Sequence, residues 1–169
     1  MTGHQTAIIR RANLEGNLML ELQSEFLFTI RIAVEKLHNV GDTPFGTRHI
    51  DMLGEGSFEG PKLKGTVIGG MDQKVFRSDG AMNPNVRLVL KTEDDALIYM
   101  YYTGVRHGSK EVMERIAEGE SVDPSEYYLR NTPYFETSAP QYDWLNRIVS
   151  VGVGRRMPDH AAYDVFQIL

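Results

Sequence analysis

The sequence contains no cysteine, which excludes a disulfide scaffold, a thiolate zinc site, an iron–sulfur cluster and a cysteine nucleophile. It lacks a basic excess: 18 Lys and Arg stand against 23 Asp and Glu, a formal net charge of −5. Nucleic-acid binders carry the opposite balance, so no nucleic-acid partner is expected. Long apolar runs are missing too. The longest, Ala96 to Tyr102, has 7 residues, far short of the roughly 20 that span a bilayer. The first residues carry Arg10 and Arg11 without a continuous apolar stretch behind them, so secretion is not expected. A membrane partner is not expected either, and the expected location is the cytoplasm. No Walker A sequence, HExxH, EF-hand loop or Gly-x-Ser-x-Gly elbow occurs.

What is present is one domain's worth of chain, 169 residues. A domain of that length buries about 70% of the surface its unfolded chain exposes, enough to fold without a metal or disulfide. The 16 Gly and 7 Pro are spread evenly, the punctuation of short antiparallel strands joined by turns. Residues 1–18 read as an extension, in which Ala7–Leu18 forms at best a marginal helix broken by Gly16 and Asn17. The domain then runs over residues 19–169.

Its first strong strand is Glu25–Leu37, with Phe28, Ile30, Ile32 and Val34 in one phase and Thr29, Arg31 and Glu35 in the other. Gly41-Asp42-Thr43-Pro44 is expected to turn the chain. Further strands are expected at Thr47–Leu53, Lys62–Ile68, Gln73–Arg77, Val86–Lys91, Ala96–Val105, Tyr127–Glu136, Arg147–Val153 and Ala162–Ile168. One segment reads as helix, with Ser109 as N-cap, Val112 and Ile116 four apart, and Gly119 closing the end. A short helical turn is expected near Pro140–Leu145. The pattern is all-β, and a closed barrel is preferred over a sandwich because it leaves no strand edges.

Several residues carry possible chemistry. Gly54-Glu55-Gly56-Ser57-Phe58-Glu59-Gly60 superficially looks like a dinucleotide loop, but Pro61 and a strand pattern follow it, so a glycine-rich bend or bulge is the better reading. His49 and Asp51 share a strand face and could begin a metal site, yet no third ligand is named, and a hydrogen-bonded pair accounts for them. No metal or cofactor is expected. Arg106 follows the phase of Ile98, Met100 and Tyr102, whereas His107 follows Tyr99 and Tyr101. Both are read as solvated at a barrel rim or, alternatively, as an anion anchor and proton donor at a pocket mouth.

Tyr128, Arg130, Thr132, Tyr134 and Glu136 project to one side of their strand, opposite Tyr127, Leu129, Asn131 and Phe135. If the first side meets solvent it is a ladder of weak polar contacts, and if it faces the interior Arg130 needs a carboxylate or an anionic ligand. Glu59 is the expected interior partner or general base. Trp144, the single Trp, is read as a core plug before a ligand platform.

Five blocks together carry a family resemblance. They are Phe58-Glu59-Gly60-Pro61 with Leu63-x-Gly65, Gly104-Val105-Arg106-His107-Gly108, Asp123-Pro124-Ser125-Glu126-Tyr127-Tyr128, Arg130-x-Thr132-Pro133-x-Phe135-Glu136-Thr137 and Trp144-Leu145-Asn146. From about Leu20 to Leu169 the chain resembles the DUF3237 (UPF0311) family. The resemblance implies a calycin-like, lipocalin-like antiparallel barrel of eight to ten strands with one or two short helices, in a cytoplasmic protein that is often a homodimer. It implies no particular reaction. Glu59, Arg106, His107, Tyr128, Arg130, Trp144 and Asn146 are the matching residues expected to line the interior.

Such a barrel accommodates one small hydrophobic or aromatic ligand. The expected activity is a cofactor-independent isomerase, cyclase or lyase acting on an aromatic or polyketide-like metabolite. Glu59 would be the base, Arg130 the oxyanion stabiliser and His107 the acid, with Arg106, Tyr102, Tyr128, Trp144 and Asn146 gripping the ligand. A non-catalytic carrier or sensor is the alternative.

Overall fold

The computed structural model describes residues 21–169; the expected extension and its marginal helix lie outside them. Eight strands form a closed antiparallel ring in chain order. They are β1 (Ser24–Thr43), β2 (Gly46–Glu59), β3 (Lys64–Asp72), β6 (Asn85–Thr92), β7 (Leu97–Gly108), β8 (Tyr127–Glu136), β9 (Ser150–Arg156) and β10 (His160–Ile168). The ring closes where β1 pairs with β10, Ile30 opposite Tyr163 and Ile32 opposite Ala161. Two short strands, β4 (Val75–Phe76) and β5 (Met82–Asn83), form a hairpin that bridges β2 to β7. Sequence periodicity does not reveal β5, because two residues carry no period.

The helix α1 (Lys110–Ala117) follows β7, with the Ser109 hydroxyl accepting the Val112 N–H at 3.3 Å. Gly119 adopts φ +85° just past its end, the left-handed stop that glycine supplies without strain. Pro140–Arg147 forms the second short helical segment. The first hairpin turn lies later than expected. β1 continues through Thr43, and Pro44-Phe45 make the turn, fastened by the Thr43 hydroxyl donating to the Gly46 carbonyl at 2.7 Å.

The alternation of β1 holds: Phe28, Ile30 and Ile32 are buried in the barrel. One end is solid. Phe28 meets Phe58 and Phe135 edge to face at 5.6 and 5.9 Å, and Leu88, Leu90, Ile98 and Met100 fill the middle. Edge-to-face contacts of this kind add to the stabilisation from area burial. The glycine-rich segment of β2 is a bulge within the strand, as the register slips between Leu53 and Gly56 against β1. A Cβ on Gly56 would fall 2.1 Å from the Arg31 carbonyl oxygen, so only glycine allows that approach.

Candidate functional site

At the other end of the barrel the side chains turn polar. Asp51 on β2 stands directly opposite Asp72, the last residue of β3. Two carboxylates so placed repel, and Lys74, just beyond β3, reaches back to form an ion pair with Asp51. The Asn85 N–H donates to Asp72 Oδ1 at 2.9 Å. Arg106 enters from β7, beside Met82 of β5 and Leu129 of β8. Arg156 ends β9, and Tyr163 of β10 meets Tyr102 of β7 with ring centroids 5.4 Å apart.

These side chains surround a cavity of about 60 Å³. It holds three cations, Lys74, Arg106 and Arg156, against the carboxylates Asp51 and Asp72. Arg106 Nε and Arg156 Nη1 are buried with no hydrogen-bond partner, and so is Asp51 Oδ1. Buried donors are ordinarily satisfied, so a cluster of unsatisfied ones around a void calls for a polar occupant. Water qualifies, and so does an anionic ligand.

Burial dominates the electrostatics. It raises the Asp72 carboxyl to about 6, a rise that the Asn85 N–H and Lys74 partly offset and Asp51 reinforces. Burial also pushes the Tyr163 phenol to about 12 and Tyr102 well above the ordinary tyrosine value. Both phenols therefore stay protonated, as donors. The same burial lowers Arg106, with neighbouring Tyr163 acting against it and the Arg156 guanidinium adding repulsion.

Of the residues singled out in the sequence, Asp51, Arg106 and Tyr102 come together in this cavity, Asp51 paired with Lys74 instead of with His49. The phase of β7 predicts the last two: Ile98, Met100, Tyr102 and Arg106 all point inward. The others lie outside the cavity. The expected alternation of β8 holds through Pro133, but its Arg130 side is the outer one, since Tyr127, Leu129, Asn131 and Phe135 are the buried residues. There the Arg130 guanidinium lies 4.9 Å above Tyr128, which stacks on His107 at 5.1 Å. Glu59 is exposed on the outer face, paired in register with Lys64, because Phe58 beside it takes the inward position. Trp144 packs partly buried against the core under the Lys62 ammonium, 5.6 Å from its ring. Asn146 bridges the Thr137 backbone, accepting its N–H at 2.9 Å and donating to its carbonyl at 3.0 Å.

Asp72, Lys74, Arg156 and Tyr163 escape the sequence reading for identifiable reasons. β3 carries a register shift between Val67 and Gly69, so inward phase passes from Val67 to Gly70 and Asp72 rather than to Gly69 and Met71. Counting by twos from Val67 puts Asp72 outside. On β9 the inward positions are Ser150, Gly152, Gly154 and Arg156, a set with no large apolar residue to mark the phase. Those glycines have a use: a Cβ on Gly154 would meet the Tyr163 ring at 2.6 Å.

A closed up-and-down β-barrel with a polar cavity at one end is thus the class of protein that the geometry defines. The chain belongs to the family described as protein of unknown function (DUF3237), whose model matches residues 22–168. It is 31% identical over 149 residues to the UPF0311 protein RPA1785 of Rhodopseudomonas palustris, covering 88% of this chain and 97% of that one. The crystal structure of RPA1785 superposes with a TM-score of 0.86 over 89% of this chain and all (100%) of its own. A beta-barrel like protein of Acinetobacter baumannii gives a TM-score of 0.78 at 36% identity, covering 89% of this chain and 98% of that one. The hydroalkoxylation enzyme phnH of Penicillium herquei is more distant, at 22% identity over 85% of this chain and 82% of that one. An enzyme structure from the same fungus shares the fold, with a TM-score of 0.69 at 20% identity over 91% of this chain and 99% of that one.

Proposed function

We propose that the barrel binds a small anionic or enolisable metabolite at this cavity and moves a proton on it by acid–base chemistry, as an isomerase, cyclase or lyase does. The observation that carries this reading is the Asp72 carboxyl, raised to about 6, facing two guanidinium groups with unpartnered donors. A carboxyl tuned toward neutrality exchanges protons readily, and fixed cations stabilise a negative oxygen as it develops. Asp72 and Arg106 take the roles that the sequence suggested for Glu59 and Arg130. Asp72 accepts a proton from a hydroxyl or an activated C–H and returns it to carbon, while Arg106 and Arg156 hold the oxyanion. Tyr102 and Tyr163 stay protonated and donate hydrogen bonds.

The likeness to a hydroalkoxylation enzyme supports this class of reaction. Adding an O–H across a C=C bond moves one proton from oxygen to carbon with no net redox change. The barrel's acid, base and oxyanion donors suffice for such a step.

The test is chiral LC-MS of the protein with a panel of small phenols and enones, beside a boiled control. Stereoselective product is expected, with kcat/KM rising with pH through an apparent pKa near 6 as Asp72 ionises. Asp72→Asn should abolish both the product and that pH limb. A wild-type panel that is bound but unchanged would make the protein a carrier or sensor instead.

A further inference from the structure

The cavity is too small to enclose a whole ring, so a phenol would place only its oxygen and the carbon bearing it there. A cavity of roughly 150 Å³ is needed to bind benzene, and a water molecule's share of liquid volume is about 30 Å³. A space of about 60 Å³ therefore takes a carboxylate, an enolate oxygen or a similar head with one or two carbons. The rest of any larger ligand has to lie elsewhere.

A second space adjoins it. A groove of about 360 Å³ runs between α1 and the β4–β5 hairpin, and Met82 and Arg106 line both spaces. The groove's apolar lining comes from Phe76, Met82, Met113 and Ala117, with Lys110 and Glu114 at its rim. Methionines suit a variable apolar guest, because an unbranched thioether repacks easily. Inside, three cations face two carboxylates, leaving one positive charge for a single anion to neutralise.

We infer that the ligand is an amphipathic monoanion, its charged head held in the cavity by Arg106 and Arg156 and its apolar tail lying in the groove against Phe76, Met113 and Ala117. This rests on the reading of the cavity proposed above. The β4–β5 hairpin and α1 then act as the tail subsite, outside the ring of eight strands.

The test is a titration by calorimetry with a ladder of straight-chain carboxylates, acetate, butanoate, hexanoate and octanoate. Each methylene buried in the groove should tighten binding about threefold to fourfold, until the groove is filled. Ala117→Trp, at an exposed position of α1, should remove that increment, so that octanoate binds no tighter than acetate. Arg106→Gln should weaken the whole ladder at least tenfold while its thermal melt stays cooperative. A ladder that is flat in the wild type, or an increment that survives Ala117→Trp, overturns the tail subsite and leaves the cavity reading standing. Absence of binding by every carboxylate overturns the monoanion together with its tail subsite, and the acid–base reading then stands or falls on the LC-MS panel of neutral enones.

Discussion

Asp72 is held in a state that favours its neutral form. Its carboxyl titrates near 6 in the fold against 3.8 for the free group, chiefly because it is buried. The folded chain therefore keeps a proton there that the unfolded chain releases between about pH 4 and 6. The contribution to stability is most favourable below pH 4, is lost as pH rises through 6, and is constant above it. A shift of roughly two units corresponds to about 3 kcal/mol as an upper figure. Asp72→Asn keeps the shape without the charge. It should raise the unfolding free energy at pH 8 by up to that amount, seen as a higher denaturation midpoint, and bring no gain near pH 4. Equal midpoints for the two proteins at pH 8 would show that Lys74 and Arg106 fully compensate the buried charge.

At the scale of the element, the strands owe their functional faces to two bulges. In β3 the shift at Gly69 turns Asp72 toward the cavity, and Gly69 itself adopts φ +146°. Any L side chain is strained there, and a Cβ would also come within 3.1 Å of the Leu53 carbonyl oxygen. Gly69→Ala should cost about 1 to 3 kcal/mol in a urea titration. It should also lower turnover in the folded fraction, since Asp72 depends on that bulge for its direction. Unchanged stability and turnover would mean that the strand keeps its register without glycine. The helix α1 needs no such device. Its Ser109 cap and Gly119 stop are local, and its buried Val112 and Ile116 dock one face beside β7.

For the whole molecule, closure is the decisive event. The Thr29 hydroxyl donates to Asp164 Oδ1 at 2.7 Å across 135 residues of chain, where β1 meets β10. Nothing local rewards that pairing before the core assembles, so folding in the millisecond-to-second range of β proteins is expected. The aromatic cluster at the solid end joins strands from three parts of the chain through Phe28, Phe58 and Phe135. Phe135→Ala should cost about 3 to 5 kcal/mol, read as a lower chemical-denaturation midpoint. A loss below 1 kcal/mol would mean that the barrel end collapses onto the gap. The polar end is also packed: Ile32, Leu53, Val86, Tyr102, Leu129 and Tyr163 of the core line the cavity, so its charged groups sit within a buried apolar shell.

The amino-acid sequence by itself determined the strand composition, the helix with its cap and stop, and the faces of β1, β7 and β8. Period-two alternation is a local property, so Arg106 and Tyr102 could be aligned with buried Met100 before any fold was known. The same alternation split β8 correctly but did not say which side was inside. Only the tertiary structure decided that, because the barrel's curvature selects Leu129 and Phe135 for the core and leaves Arg130 and Tyr128 out. It also decided the site. Asp51, Asp72, Arg106, Arg156 and Tyr163 come from five strands, and bulges in β2 and β3 reset the count that a sequence reader follows. A bulge is stabilised by the close approach of a neighbouring strand, as at Gly56 against Arg31. That neighbour is known only once the ring has closed.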